Sequence, residues 1–401
     1  MVCPLESSRT AFVGGRILPI THEPIENGIV LITDAKIEAV GDASLPIPSG
    51  TQIVDVAGGW VLPGLVDAHT HLGTLEDGEG WAGDDHDEAT EPMTARLRAL
   101  DGINPADAAF RDAIAGGVLA AGVNPGSCNP IGGQSVALRT SGRTVEEMVL
   151  RQPCGLKSAL GENPKKAYGS LGRMPSTRMG TAAVIRQALT RARDYLKQPS
   201  GGTDLDLEAI SLVLRGEIPW RQHVHRADDI ATALRLADEF GYRLVIDHGT
   251  EADALADVLA ARDIPVILGP LIVGRSKVEM RHRSLRTAGT LAAAGVRISI
   301  ATDHSVVPIQ FLVHQATLAV KEGLDPATAL EALTINPASV LGVDDRIGSI
   351  DVGKDADLCV WSGDPLDVMQ RVEAAYVRGR RVYRYDHERG VGLFDGHEWT
   401  P

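Results

Sequence analysis

The 401-residue sequence has few cysteines, no long apolar run and no concentration of basic residues, and each absence removes a class of protein. The four cysteines, Cys3, Cys128, Cys154 and Cys359, are scattered with no short-spaced pair, which argues against a disulfide framework and a thiolate metal cluster. Reduced, structural thiols are expected. The longest apolar stretches, such as ADLCVW ending at Trp361 and LVIDH ending at His248, fall far short of the roughly 20 residues a bilayer-crossing helix needs. The first residues, MVCPLESSRTAF, lack a basic start followed by an apolar stretch, so no secretory signal is read and a cytoplasmic location is expected. Lys and Arg form no cluster along a chain of net charge -14, which speaks against nucleic acid, since phosphate backbones require a concentrated basic face.

What is present is the composition of a globular protein, 44% hydrophobic, at a length suited to one large domain with a minor one. The first sixty residues alternate in short β-prone bursts, AFVGGRILPI, GIVLITDAKIEAVG and TQIVDVAGGWVLPG, broken by Gly, Pro and Asp. The same texture returns in IGSIDVGKDADLCVWSG and VEAAYVRGRRVYRYD, so residues 1–63 and 344–401 are expected to build one β domain together. Between them, over 64–343, β-prone runs alternate with helical patterns, the signature of a parallel sheet with helical crossovers. DDIATALRLADEFG places Ile230, Ala233, Leu234 and Ala237 on one stripe and stops at Gly241; Thr250 and Asp253 suggest a capping box; Asp325 and Pro326 read as cap and first turn of a further helix.

A parallel barrel gathers its chemistry where strands run out into loops at their C-terminal ends. The polar residues at those places are His69 and His71, Glu162, His223 and His225, His248 and Asp303. In an extended strand residues two apart face the same way, so His69 and His71 in PGLVDAHTHLG both point into the barrel mouth, and HVH repeats the geometry at His223 and His225. A buried carboxylate such as Asp303, after the apolar strand ISIAT, costs several kcal/mol unless a cation or partner meets it. A set of imidazoles and carboxylates without clustered thiolates suits Zn²⁺, with Mn²⁺ or Fe²⁺ as further candidates. Water in an open coordination position then loses a proton near neutral pH.

PGLVDAHTH, His223, His248 and TDH, with GGRILPI, HVHRADDI, HGTEA and NPASVLGVDDRIGSIDVGKDADLCVWSGDPLD, resemble the amidohydrolase superfamily, and most closely its imidazolonepropionase-like branch, over nearly the whole chain. The resemblance implies a distorted (β/α)8 TIM barrel with a small β-sandwich from both chain ends, and hydrolysis of amide or amidine C–N bonds, often in rings, of a small molecule. It also implies that His69, His71, His223 and His248 hold one or two metal ions, and that Asp303 takes a proton from the water at the metal and delivers it to the leaving nitrogen. In CGLKSALGENPKKAYG, many binuclear relatives would carry a bridging carboxylated lysine. Lys157 and Glu162 differ by an odd number of positions and face opposite ways in a regular strand; Glu162 is preferred as the ligand because it precedes the Asn-Pro break, with Lys157 as the alternative. His225 is open as a ligand, a substrate contact or a packing residue.

The loop LGTLEDGEGWAGDDHDEATEP is strongly acidic, with no Lys or Arg; it reads as a solvated loop, or as a negative rim attracting a cationic substrate. GVNPGSCNPIGGQSVALRT reads as an active-site loop in which Asn129 and Gln134 could orient a carbonyl. Arg275 and Lys277 are candidates for an anionic group on the substrate, and His304 for a further contact. Deamination, dehydrative ring closure, or ligand binding without catalysis are the alternative functions. A homodimer is the default oligomeric expectation.

Overall fold

The computed structural model describes residues 9–197 and 202–394. Cys3 and the proposed signal-free N-terminal segment before Arg9 lie outside the described residues. Five strands come first: β1 (Arg9–Ile17), β2 (Ile25–Thr33), β3 (Lys36–Gly41), β4 (Gln52–Asp55) and β5 (Trp60–Pro63). Eight barrel strands follow: β6 (Leu65–Thr70), β7 (Val118–Val123), β8 (Ile131–Arg139), β9 (Val149–Ala159), β10 (Trp220–Val224), β11 (Leu244–His248), β12 (Val266–Leu268) and β13 (Ile298–Ile300). The chain ends with β14 (Leu358–Trp361), β15 (Val372–Val377), β16 (Arg380–Asp386) and β17 (Val391–Phe394).

The two chain ends build one β domain. Its order is β17-β16-β15-β14-β5-β1-β2-β3, with β4 also on β1, so its nine strands form one hydrogen-bonded sheet. The seam is the antiparallel pair of β5 and β14, where Trp60 faces Trp361 and Leu62 faces Cys359. Period-two patterning supplies its core: Phe12, Val30, Ile32, Val61, Leu358 and Val360 pack together, each burial contributing about 1.5–3 kcal/mol. Phe12 adds an edge-to-face contact with Tyr376 at 4.8 Å.

The barrel sheet runs β13-β12-β11-β10-β9-β8-β7-β6. It nearly closes through Asp303 N–H to the His69 carbonyl (3.1 Å) and His71 N–H to the His304 carbonyl (2.8 Å). β8 is antiparallel to both β7 and β9, whereas the remaining strands run in one direction. This is the distortion of the (β/α)8 pattern, and it corrects part of the reading of Gly122–Thr140 as a loop: residues 124–130 are loop, but Ile131–Arg139 is strand β8. The glycines of IGGQSVALR are compatible with a strand because both its edges are paired.

The helices follow their sequence signals in two of three cases. Ala227–Phe240 ends at Gly241 in the left-handed conformation (φ 73°), and the Asp325 carboxylate caps Pro326–Glu331 by accepting the Thr328 N–H at 2.9 Å. After β11, however, the chain forms a 3-10 turn, Ala252–Leu255, and a short helix, Ala256–Ala261; Thr250 makes no cap because its hydroxyl meets the His225 ring. Buried ion pairs join the barrel to the terminal sheet: Arg139 of β8 contacts Asp355 at 2.5 Å and Asp357 at 2.8 Å, all with side chains 4% exposed. Among the described residues no helix is long and apolar enough to cross a membrane.

Candidate metal centre

At the C-terminal end of β6, Asp67, His69 and His71 share a strand face, and all three are buried. The His71 Nδ1–H donates to the Asn124 carbonyl at 2.9 Å, which leaves Nε2 as a lone-pair donor 3.4 Å from Asp303 Oδ1. His69 Nε2 lies at the same distance from that oxygen. His69, His71 and Asp303 therefore present ligand atoms within 4.8 Å of one another.

His223, His225 and His248 make a second such group. The His248 Nδ1–H is fixed by the Gly269 carbonyl at 2.7 Å, so its Nε2 is free. His225 Nδ1 pairs with the Thr250 hydroxyl at 2.7 Å. The two groups are adjacent: ring centroids of His248 lie 4.6 Å from His69 and 4.4 Å from His223. His248 and Asp303 have φ of 73° and 53°, left-handed turns at strand ends that release them from strict alternation. Asp247 and His248, neighbours in sequence, thus both serve the centre.

Beneath the histidines lies a buried charge network. Asp247 accepts from Arg221 Nε (3.0 Å) and Nη2 (2.9 Å) and from Lys157 Nζ (3.3 Å), and its Oδ2 stands 3.1 Å from His69 Nδ1. Lys157 Nζ also reaches His69 Nε2 at 3.1 Å. Burial alone would raise the Asp247 carboxyl, but Arg221, Lys157 and His69 hold it well below the usual carboxylate range. Burial, and then the Lys157 charge, push His69 down to about 3. Burial likewise lowers His223, His225 and His248, so these rings are neutral, the form that binds metal. Burial would raise Asp303, yet the adjoining His248, His71 and His69 imidazoles, with the His71 hydrogen bond, outweigh it and hold the carboxyl below its ordinary range.

These residues fit a divalent cation. Both ring nitrogens of His223 and Nε2 of His225 are buried without a hydrogen-bond partner, a costly arrangement that a cation would relieve. Backbone carbonyls orient His71 and His248, the outer-shell support typical of metal-ligating imidazoles.

Residues 176–382, just over half of the chain, match the family model described as the amidohydrolase family. The chain belongs to the amidohydrolase family. A solved amidohydrolase from Thermotoga maritima MSB8 is 45% identical, with a TM-score of 0.91, covering 94% of this chain and 100% of that one. An imidazolonepropionase of Maricaulis maris is 26% identical over 89% of this chain and 92% of its own length. Amidohydrolase tasK of Hapsidospora irregularis is 28% identical over 86% of this chain, which spans only 38% of that longer protein. Family membership carries metal-dependent hydrolysis of C–N bonds.

In this amidohydrolase, the Glu162 expectation meets a different geometry. β9 ends at Ala159, so Glu162 falls in the following helix, Glu162–Gly169, half-exposed and outside both ligand groups. Lys157, fully buried on β9, is the residue among the histidines. Asn129 holds the loop together, donating to the Glu88 carbonyl (2.9 Å) and the Thr94 hydroxyl (2.7 Å), and Gln134 donates to the Ala95 carbonyl at 3.4 Å. Arg275 is exposed with Nε on the Arg281 carbonyl at 3.1 Å, whereas Lys277 is near enough to His223 and His225 to lower both. His304 is buried, its Nδ1 accepting the Ile309 N–H at 3.2 Å.

Sequence reasoning missed Asp67, Arg221, Asp247 and Glu279. Strand parity could have found two: Asp67 shares the face of His69 and His71, and Arg221 that of His223. Asp67 binds Thr302 N–H (3.0 Å) and His69 N–H (3.1 Å), while burial raises its carboxyl to about 7. Glu279 is 1% exposed, with one oxygen on the Glu162 N–H at 2.9 Å and the other 3.7 Å from His225 Nε2; no pattern in the sequence announces it.

Proposed function

We propose that the chain hydrolyses a C–N bond in a small cyclic amide or amidine, with His69, His71, His223 and His248 holding one or two divalent cations, zinc foremost, and Asp303 moving the proton. The convergence of lone-pair donors from the ends of β6, β10 and β11, with the Asp303 carboxylate beside the β6 pair, carries this reading. The ring substrate is suggested by the imidazolonepropionase named among the relatives. A cation bound there supplies positive charge that makes water more acidic and polarises the scissile carbonyl. Asp303 Oδ1, beside both β6 histidines, accepts the proton of the attacking water and returns it to the leaving nitrogen. Asp247, Lys157 and Arg221 hold His69 from below. Lys157, rather than Glu162, is the β9 residue of the centre, and Lys277 is placed to meet a carboxylate on the substrate.

The test is Asp303→Asn assayed against a panel of cyclic amides and amidines. Turnover should fall by about 10²–10⁴ while bound metal and fold persist. Full turnover by this variant contradicts the assignment.

A further inference from the structure

A cavity of about 660 Å³ lies at the opposite end of the barrel from the histidines, where β10, β11, β12 and β13 begin. Its wall brings together Arg151, Arg243, Arg262 and Arg297 against only two carboxylates, Asp238 and Asp263. No cluster is visible in the sequence because the four arginines come from separate segments. Arg262 pairs with Asp238, and Arg297 Nη2 with Asp263 at 3.1 Å. Among the described residues Arg151 and Arg243 meet no carboxylate at ion-pair distance. Arg151 instead donates to the Gly342 carbonyl (3.1 Å) and the Glu217 carbonyl (3.0 Å), and Arg243 to the Gly216 carbonyl (2.9 Å).

Carbonyls fix a guanidinium in place but do not neutralise it. The fit around Arg151 is close: Gly342 ends the helix Ile335–Leu341 with φ of 68°, and a Cβ there would come 1.7 Å from Arg151 Nη1. Tyr242, also on the wall, has a buried hydroxyl without a hydrogen-bond partner. Ile264, Pro265 and Val340 add an apolar side.

We propose that this cavity binds a small phosphate-bearing molecule, at a site separate from the metal centre. Guanidinium forks match the oxygens of a phosphate, and a cavity of this size falls in the usual range for small-molecule sites, leaving room for an organic body beside the anion. The site is unrelated to the hydrolytic reading and stands or falls without it.

Calorimetric titration of the full chain with inorganic phosphate, at ionic strength held constant with chloride, tests the proposal. Wild type should bind saturably. Arg243→Gln should weaken binding about tenfold, and Asp263→Asn, which leaves Arg297 unpaired, should strengthen it, both with little change in Tm. Arg243 makes a single carbonyl contact, so its replacement spares the two-carbonyl anchor of Arg151. The proposal is overturned if wild type shows no saturable binding. It is also overturned if Arg243→Gln retains wild-type affinity, including the case where Tm alone falls, which would mark these arginines as purely structural.

Discussion

At the scale of residues, the centre depends on how each imidazole is aimed as much as on its presence. His248 is aimed by the carbonyl of Gly269, whose φ of 152° and close neighbour leave no room for a side chain: a Cβ there would lie 2.1 Å from the Ala301 carbonyl oxygen. Gly269→Ala should therefore displace that carbonyl and lower metal affinity by about 10–100-fold, measured by competition with a chromogenic chelator. Unchanged affinity would show that the carbonyl does not set the ring. The histidines themselves were legible in the sequence through the spacing of two in HTH and HVH. Asp247 was not, because period-two reasoning places it opposite His248, and only the left-handed turn at His248 brings both into the mouth. Lys157 was legible only as an alternative, because the Asn-Pro break does not mark the end of β9, which stops at Ala159, three residues before Glu162.

At the scale of elements, the acidic loop after β6 is partly solvated and partly pinned. Asp77, Glu79, Asp84, Asp85 and Glu88 are exposed and Trp81 is 92% exposed, as the solvated reading expects. His86 and Asp87 instead turn inward: His86 Nε2 stands 3.2 Å from Asp87 Oδ2, and Asp87 accepts the Cys128 N–H at 3.0 Å. Burial would lower His86, but hydrogen bonds and charges from Asp87 and Asp84 override it and raise the ring to about 9. A raised imidazole stabilises the fold fully below its ordinary value of 6.5, and that contribution is lost as pH climbs through about 9. Thermal stability measured across this window should fall more steeply for wild type than for His86→Gln. Parallel profiles would remove His86 from the account. Charge composition alone identified the loop but could not distinguish its pinned residues from its wet ones, since pinning depends on a partner loop about forty positions away.

At the scale of the molecule, barrel and terminal sheet are joined by ionic contacts that sequence patterning does not reveal. The pattern did reveal the two β-rich ends and the alternating middle, because amphipathic periodicity is local. The antiparallel β8 and the Arg139 joint depend on pairings between distant segments. Arg139→Met leaves Asp357 buried beside Asp355 with its guanidinium partner gone, and should cost about 3–5 kcal/mol in urea unfolding. Adding Asp357→Asn should recover part of that loss by removing the stranded charge. A cost below about 1 kcal/mol would mean the ion pairs do not hold the two domains together.

The most direct test of the central claim is the metal content of the purified chain, measured by mass spectrometry of the elements before and after exposure to zinc. The arrangement of His69, His71, His223, His248 and Asp303 predicts at least one tightly held divalent ion per chain in wild type, lost in a folded His69→Ala/His71→Ala variant. A wild-type chain that stays free of metal in excess zinc, or a double variant that binds as much as wild type, would contradict it.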